Sequence, residues 1–372
     1  MNRLMLTLFA LLVLLADKAA TAQPALDDLK LNQIQVIGTH NSYHGGFAPN
    51  EGELMKKLKP EIYAAFDYRH SPLPKQLDAG IRQIELDIYA DPEGGRYRHP
   101  AMLDMVAKAG LPADPEFDPG HLMEAPGFKV IHVEDIDYRS NCQPFAACLR
   151  LVRDWSAAHP DHVPLFILIE TKETPLKLDV PTVAPLPFTS AVFDSLDREI
   201  LSVFPRGAIV TPDEVRGKYA SLSDAVAHGG WPTLKQARGK VVFLMDQKKA
   251  GPAYLDGHPA LKGRLIFTNA DPGAADAAFV EDNEGSAAEI ESLVRRGYVV
   301  RARADENTKE ARTNDTKRRD ELLGSGAQFI STDYPWIERA ETGYEVALPD
   351  RIAARCNPVL VSAGCVIERI GK

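Results

Sequence analysis

Between Ile34 and Ser331 the chain sets a short apolar run against an amphipathic segment again and again, and this alternation restricts the fold more than any other feature. The runs are Ile34 to Gly38, Gln83 to Ile88, Lys129 to His132, Leu165 to Ile169, Val241 to Met245, Leu265 to Thr268, Val299 to Ala302 and Gln328 to Ser331. Several are unbroken in Val, Ile, Leu and Phe, the composition of strands buried on both faces. Helical spacing marks Glu53 to Phe66, Pro144 to Ala158, Ser190 to Phe204, Ala287 to Arg296 and Thr313 to Leu323. Strand and helix in eightfold alternation predict an α/β chain closed into a (β/α)8 barrel of the TIM type, with a doubly wound open sheet as the alternative. Roughly 250 residues suffice for such a barrel. The surplus is expected in insertions, notably Asp91 to Gly127 and Pro175 to Pro187, and no linker divides residues 23–372 into two domains.

Residues 1–22 read as an export leader. Arg3 precedes an apolar run from Leu4 to Ala16, and the segment closes on Ala20-Thr21-Ala22, a small-residue cleavage pattern. The run is too short to span a bilayer, which takes roughly 20 residues. The protein is therefore expected outside the cytoplasm, periplasmic or released. The whole chain carries 43 basic and 52 acidic residues, a net charge of −9. Loss of Arg3, Lys18 and Asp17 with the leader makes the remainder one unit more negative. That balance excludes nucleic acid as a partner and leaves any anionic membrane to be met through local contacts. Four cysteines fall as two close pairs, Cys142 with Cys148 and Cys356 with Cys365, and in an oxidising compartment they are expected to form two short-loop disulfides.

Four successive runs end in polar groups. The first ends Gly38-Thr39-His40-Asn41-Ser42-Tyr43. The second ends Ile84-Glu85-Leu86-Asp87-Ile88-Tyr89, and strand alternation puts Glu85 and Asp87 on one side, which in a closed barrel is the interior. Carboxylates there are costly unless they are paired or bind a metal. Metal ligation is the first reading, and salt bridges to a barrel Arg or Lys the second. The third run delivers His132, and the fourth delivers Glu170 and Lys172. Barrel enzymes carry their chemistry at the carboxyl ends of the strands. Asn41, Glu85, Asp87 and Glu170 offer only oxygen donors, which suits one hard cation, calcium ahead of magnesium. His40 and His132 remain for acid-base work, although zinc or manganese with histidine ligation stays open on residue types alone.

His-Asn on the first strand, Glu-x-Asp on the second, His on the third and Glu on the fourth resemble the catalytic barrel of the calcium-dependent phosphatidylinositol-specific phospholipases C. The closing run Gln328-Phe329-Ile330-Ser331-Thr332-Asp333-Tyr334 is similar to that of secreted bacterial members. The resemblance implies a phosphodiesterase that cleaves phosphatidylinositol-type lipids at a membrane surface by attack of the inositol 2-hydroxyl, giving an inositol cyclic phosphate and diacylglycerol. It implies Asn41, Glu85, Asp87 and Glu170 as calcium ligands and His40 and His132 as catalytic histidines. In that scheme His40 meets the phosphoryl oxygen, His132 protonates the departing diacylglycerol oxygen, and Glu85 or Glu170 takes the hydroxyl proton.

No pleckstrin-like, EF-hand or C2 segment accompanies the barrel, and no obligate protein partner is indicated. Lys172, Arg301, Arg303, Asp333 and Tyr334 sit near strand ends as candidate substrate contacts; salt bridges for the cations and a closing core position for Tyr334 are the competing readings. The apolar side chains of Pro175 to Phe188 suit either lipid contact or packing over the rim. A glycerophosphodiesterase or phospholipase D-like barrel is the nearest rival, but the His-Arg-Gly opening of the former is absent. A non-catalytic calcium-dependent lipid or glycan binder is the rival from another class, and it has no need of the full set of histidines and ligands kept here.

Overall fold

The computed structural model of the protein describes residues 25–175, 182–362 and 364–371; the leader expected at residues 1–22 lies outside them. Eleven strands form one sheet: β1 Ile34–Thr39, β2 Gln83–Asp91, β3 Gly127–Val130, β4 Leu165–Thr171, β5 Val241–Met245, β6 Ile266–Phe267, β7 Phe279–Glu281, β8 Val299–Arg303, β9 Phe329–Thr332, β10 Ala354–Cys356 and β11 Val366–Glu368. Eight of them run β6-β5-β4-β2-β1-β9-β8-β7, with every neighbouring pair parallel. The ring comes near to closing where Asn269 bridges Phe279 in parallel and the Glu281 N–H donates to Asn269 Oδ1 at 3.1 Å. This is the expected (β/α)8 barrel.

Its membership differs from the expectation in one place. The third apolar run forms β3, but β3 is antiparallel to β2 and pairs with the outer end of that strand, Ile88 opposite Val130 through Asp91 opposite Gly127. β2 is nine residues long; it outgrows the barrel wall, and the overhang carries β3 as a rim hairpin. The missing barrel strand is β7, only three residues long and too short to stand out as an apolar run.

The helices follow the apolar spacing. Phe145–Ala158 buries Phe145, Cys148, Leu149, Val152 and Trp155 along one face against the barrel core. Ser190–Val203 starts where Thr189 accepts the Val192 N–H, and Ala287–Arg295 opens with a Ser286/Glu289 capping box. The segment read as one helix over Glu53 to Phe66 is two, Pro49–Leu58 and Pro60–Phe66, because Pro60 cannot continue the first. A second apolar cluster, including Leu54, Met55, Tyr89, Met102, Val106, Ile131 and Tyr138, packs these rim elements over one side of the mouth.

Both disulfides join the expected partners. Cys356–Cys365 clips β10 to β11 beside the start of β1, while Cys142–Cys148 ties the loop after the rim hairpin to the helix behind it. Leu176 to Pro181, the centre of the proposed lipid-facing segment, lie outside the described residues. Phe188 is buried and stacked on Phe128 at 5.9 Å, and Leu186 packs against the main core, so this part covers the barrel. Among the described residues no helix is long and apolar enough to cross a membrane.

Candidate active site

Register decides which side chains face the mouth. β2 and β4 pair Gln83 with Phe166, Glu85 with Leu168 and Asp87 with Glu170, so these six point the same way. The Phe166 ring meets that of Phe329, from β9 across the barrel, at 4.3 Å, which makes that way the interior. β1 and β9 pair Gly38 with Ser331, and two residues on, His40 and Asp333 share the interior side. β8 contributes Arg301 and Arg303 on the same alternation. Gly38 is required for this convergence, since a Cβ there would fall 1.9 Å from Gln83 Oε1 and 2.9 Å from Gln83 Cβ.

Glu85, Asp87 and Glu170 form one cluster, with a ligand oxygen from each within 4.8 Å of the others. Asn41 completes it from the β1 exit, held in the left-handed region at φ 46°, which Asn tolerates better than most residues. With its amide oxygen toward Asp87, that oxygen lies 3.0 and 3.2 Å from the two carboxylate oxygens, acceptors against acceptors, while Nδ2 donates to Tyr68 Oη at 2.8 Å. A cation among these oxygens satisfies that arrangement; turned over, the amide donates to Asp87 instead. The donor set is all oxygen, with Asn41, Glu85 and Asp87 buried and Glu170 partly open to the mouth, and it fits calcium.

The salt-bridge reading also holds. Lys172 Nζ lies 2.8 Å from both Asp87 Oδ2 and Glu170 Oε1, and Arg301 sits between Glu85 Oε2 at 2.5 Å and Glu281 Oε1 at 2.8 Å. Burial pushes the Glu85 carboxyl up to about 7 against the pull of Arg301. Burial and the neighbouring Glu170 push Asp87 upward too, while burial of Glu170 is outweighed by Lys172, which holds it below its ordinary value. Six charged groups thus share one small volume, as perturbed functional sites do.

His40 donates from Nδ1 to Asp333 Oδ1 at 2.7 Å, so in the neutral ring Nε2 carries the lone pair. Arg303 Nη1 donates to that nitrogen at 3.1 Å and Nη2 to Asp333 Oδ2 at 3.1 Å, while Glu85 Oε1 stands 3.6 Å from Nε2. Burial and then the Arg303 charge push His40 down to about 3.

His132 reaches the same mouth from the rim hairpin. Its Nδ1 donates to Asp137 Oδ2 at 2.8 Å, its ring meets Phe66 edge-on at 4.5 Å, and among the described residues nothing hydrogen-bonds its Nε2. Both His132 and His40 lie near enough to Glu170 to bear on its carboxylate. Burial lowers His132, against the opposing pull of Asp137.

The substrate-contact candidates divide. Lys172, Arg301 and Arg303 are all held by carboxylates, and Asp333 is buried behind His40. Tyr334 is half-buried, edge-on to Tyr344 at 6.2 Å, and lines with Tyr63 and Tyr68 a groove of about 920 Å³ beside Asp333. Sequence reasoning passed over Asp137, Tyr68, Asp246 and Glu281. Asp246 follows Met245 at the end of β5 and Glu281 ends β7, so the strand-end rule applied to the second half of the barrel finds the first of them and, had β7 been seen, the second.

The family model described as phosphoinositide phospholipase C, Ca2+-dependent, matches residues 29–358. A search of curated proteins finds no match. Among solved structures, the calcium-dependent phosphoinositol-specific phospholipase C from the Gram-negative Pseudomonas sp, apo form, superposes with a TM-score of 0.52 at 15% identity, covering 87% of this chain and 96% of that one. The Ca2+-dependent phosphatidylinositol-specific phospholipase C from Streptomyces antibioticus gives 0.51 at 18% identity, over 82% and 95%. At such identities these two likenesses bear on the fold.

Proposed function

This chain belongs to the Ca2+-dependent phosphoinositide phospholipase C family, and on that premise we propose that it cleaves phosphatidylinositol-type lipids to an inositol cyclic phosphate and diacylglycerol outside the cytoplasm. The observation that carries the reading is the triad of carboxylates within 4.8 Å of one another, flanked by two histidines that each keep Nε2 free of any carboxylate hydrogen bond. Asn41, Glu85, Asp87 and Glu170 would hold one calcium ion. When bound, such an ion lowers the pKa of a ligated hydroxyl and offsets negative charge on a phosphoryl oxygen.

The side chains supply the proton chemistry. The inositol 2-hydroxyl oxygen bonds to phosphorus as the bond from phosphorus to the diacylglycerol oxygen breaks. The hydroxyl proton is taken where Glu85 Oε1 and His40 Nε2 converge, 3.6 Å apart. A hydrogen bond to the phosphoryl oxygen falls to Arg303 rather than to His40, because Asp333 holds the only proton of the neutral His40 ring. His132, protonated, gives its Nε2 proton to the departing oxygen. The leader pattern and the two disulfides support export.

The test is product identification. Purified protein offered phosphatidylinositol with calcium is expected to yield the cyclic phosphate by phosphorus NMR, and chelator to abolish the yield. Release of phosphatidic acid, or hydrolysis confined to glycerophosphodiesters, overturns the reading.

A further inference from the structure

The rim hairpin that carries His132 has its own support, and that support reaches back to the loop carrying His40 and Asn41. Val133 and Asp137 exchange backbone hydrogen bonds at 3.0 Å in both directions, with Asp135 turning the chain at φ 68°. The turn folds Asp137 back beneath the ring of His132. One oxygen of Asp137, Oδ2, accepts both His132 Nδ1–H at 2.8 Å and His44 Nε2–H at 2.7 Å. His44 belongs to the β1 exit loop, is fully buried, and lies against Tyr68 at 4.4 Å, the same tyrosine that hydrogen-bonds Asn41. Asp137 therefore links the two segments through their side chains, beside the backbone bonds that the Gly45 N–H makes to Arg139 at 2.9 Å and the Asn141 N–H to Tyr43 at 2.7 Å.

We propose that Asp137 is the positioning residue of His132, fixing its proton on Nδ1 and aiming Nε2 at the leaving oxygen, with His44 as the anchor that fixes Asp137. A buried carboxylate behind an imidazole sets both tautomer and ring orientation, and it stabilises the imidazolium form that an acid needs. His44 touches neither the carboxylate cluster nor the open side of the mouth, so its part is to hold, through a second hydrogen bond to the same oxygen. The geometry also accounts for two histidines within reach of one aspartate without assigning them a metal.

The inference rests on His132 being the proton donor, and the experiment separates the two. Asp137→Asn, His44→Gln and His132→Ala are assayed on phosphatidylinositol and on an inositol phosphodiester with a nitrophenolate leaving group, which departs without protonation. Asp137→Asn is expected to lower kcat on the lipid by about 10- to 100-fold, the scale of a misdirected proton-transfer group, with KM within about twofold and a much smaller loss on the nitrophenyl ester. His44→Gln loosens the anchor of Asp137, so its loss is expected to be smaller than that of Asp137→Asn and confined to the lipid; an equal loss on both substrates overturns the anchor role. Equal losses of Asp137→Asn on both substrates, or no loss, overturn the inference provided His132→Ala shows the selective pattern. If His132→Ala shows no selectivity, the assignment of the acid has failed instead. Nitrogen-15 shifts of His132 in the unaltered protein give a check free of folding: neutral His132 is expected as the Nδ1–H tautomer, and the Nε2–H tautomer overturns the proposal.

Discussion

His40 and His132 stand on two different supports. His40 leaves a barrel strand and is boxed by Asp333, which follows the neighbouring strand β9, and by Arg303, which ends β8 one strand further round. His132 leaves a hairpin outside the wall and is held by Asp137, five residues further on. Each gives Nδ1–H to a buried aspartate, yet only His40 has a guanidinium at Nε2. That one difference separates their chemistry: the Arg303 charge adds to burial and keeps His40 neutral, while at His132 the burial that lowers it is opposed by Asp137 and no guanidinium faces Nε2. Two imidazoles with similar partners thus divide into an acceptor and a donor by what faces their second nitrogen.

The largest expected effect follows directly. His132→Ala should lower turnover on phosphatidylinositol by roughly a hundredfold or more, the usual scale for a lost proton-transfer group, and by clearly less on a nitrophenolate ester. His40→Ala should be impaired alike on both, because proton acceptance from the 2-hydroxyl is needed whatever departs. Paired steady-state assays check this, and equal selectivity in the two variants would erase the distinction.

How much of this was legible in the sequence depends on the distance over which each contact forms. Alternation along β2 put Glu85 and Asp87 on one face, and the strand ends located His40, Asn41 and Glu170, because those signals are local. The run Lys129 to His132 does give a strand, with His132 just past its end, but the strand lies outside the barrel, since an apolar run does not record whether its neighbour is parallel. β7 escaped because three residues make no pattern. That Asp333 stands behind His40 is not legible locally, because the two lie 293 residues apart and the closed ring brings them together. Asp137 was hidden among the acidic residues Glu134 and Asp135, with nothing in composition to mark the one that turns back.

A second comparison sets the ion cluster against its own cation. Lys172 stands 2.8 Å from two of the carboxylates that would bind calcium, so an entering ion meets its repulsion. Lys172→Met should tighten calcium binding, by roughly tenfold for one screened charge at such range, while lowering turnover little if the lysine does not touch substrate. Calorimetric titration reads the affinity, and an unchanged or weaker affinity would show that Lys172 helps to order the ligands.

The smallest effect on catalysis is expected from the disulfides, which differ in place. Cys142–Cys148 and Cys356–Cys365 close loops of sequence separation 6 and 9, so replacing either pair by serine should cost about 2–3 kcal/mol by loop-closure entropy. Denaturant melts should show similar losses. Below the melt, activity should fall only for the first pair, which anchors the rim; a loss confined to the second would misplace the support of His132.

The most direct test of the whole account is a calcium titration of the unaltered protein, Glu170→Gln and His132→Ala side by side. The account has one ion held by oxygen atoms alone, so it requires a single site, binding weakened by about tenfold or more when the Glu170 charge is removed, and binding unchanged when the His132 imidazole is removed. Loss of the ion in His132→Ala would make that histidine a ligand and contradict the oxygen-only site.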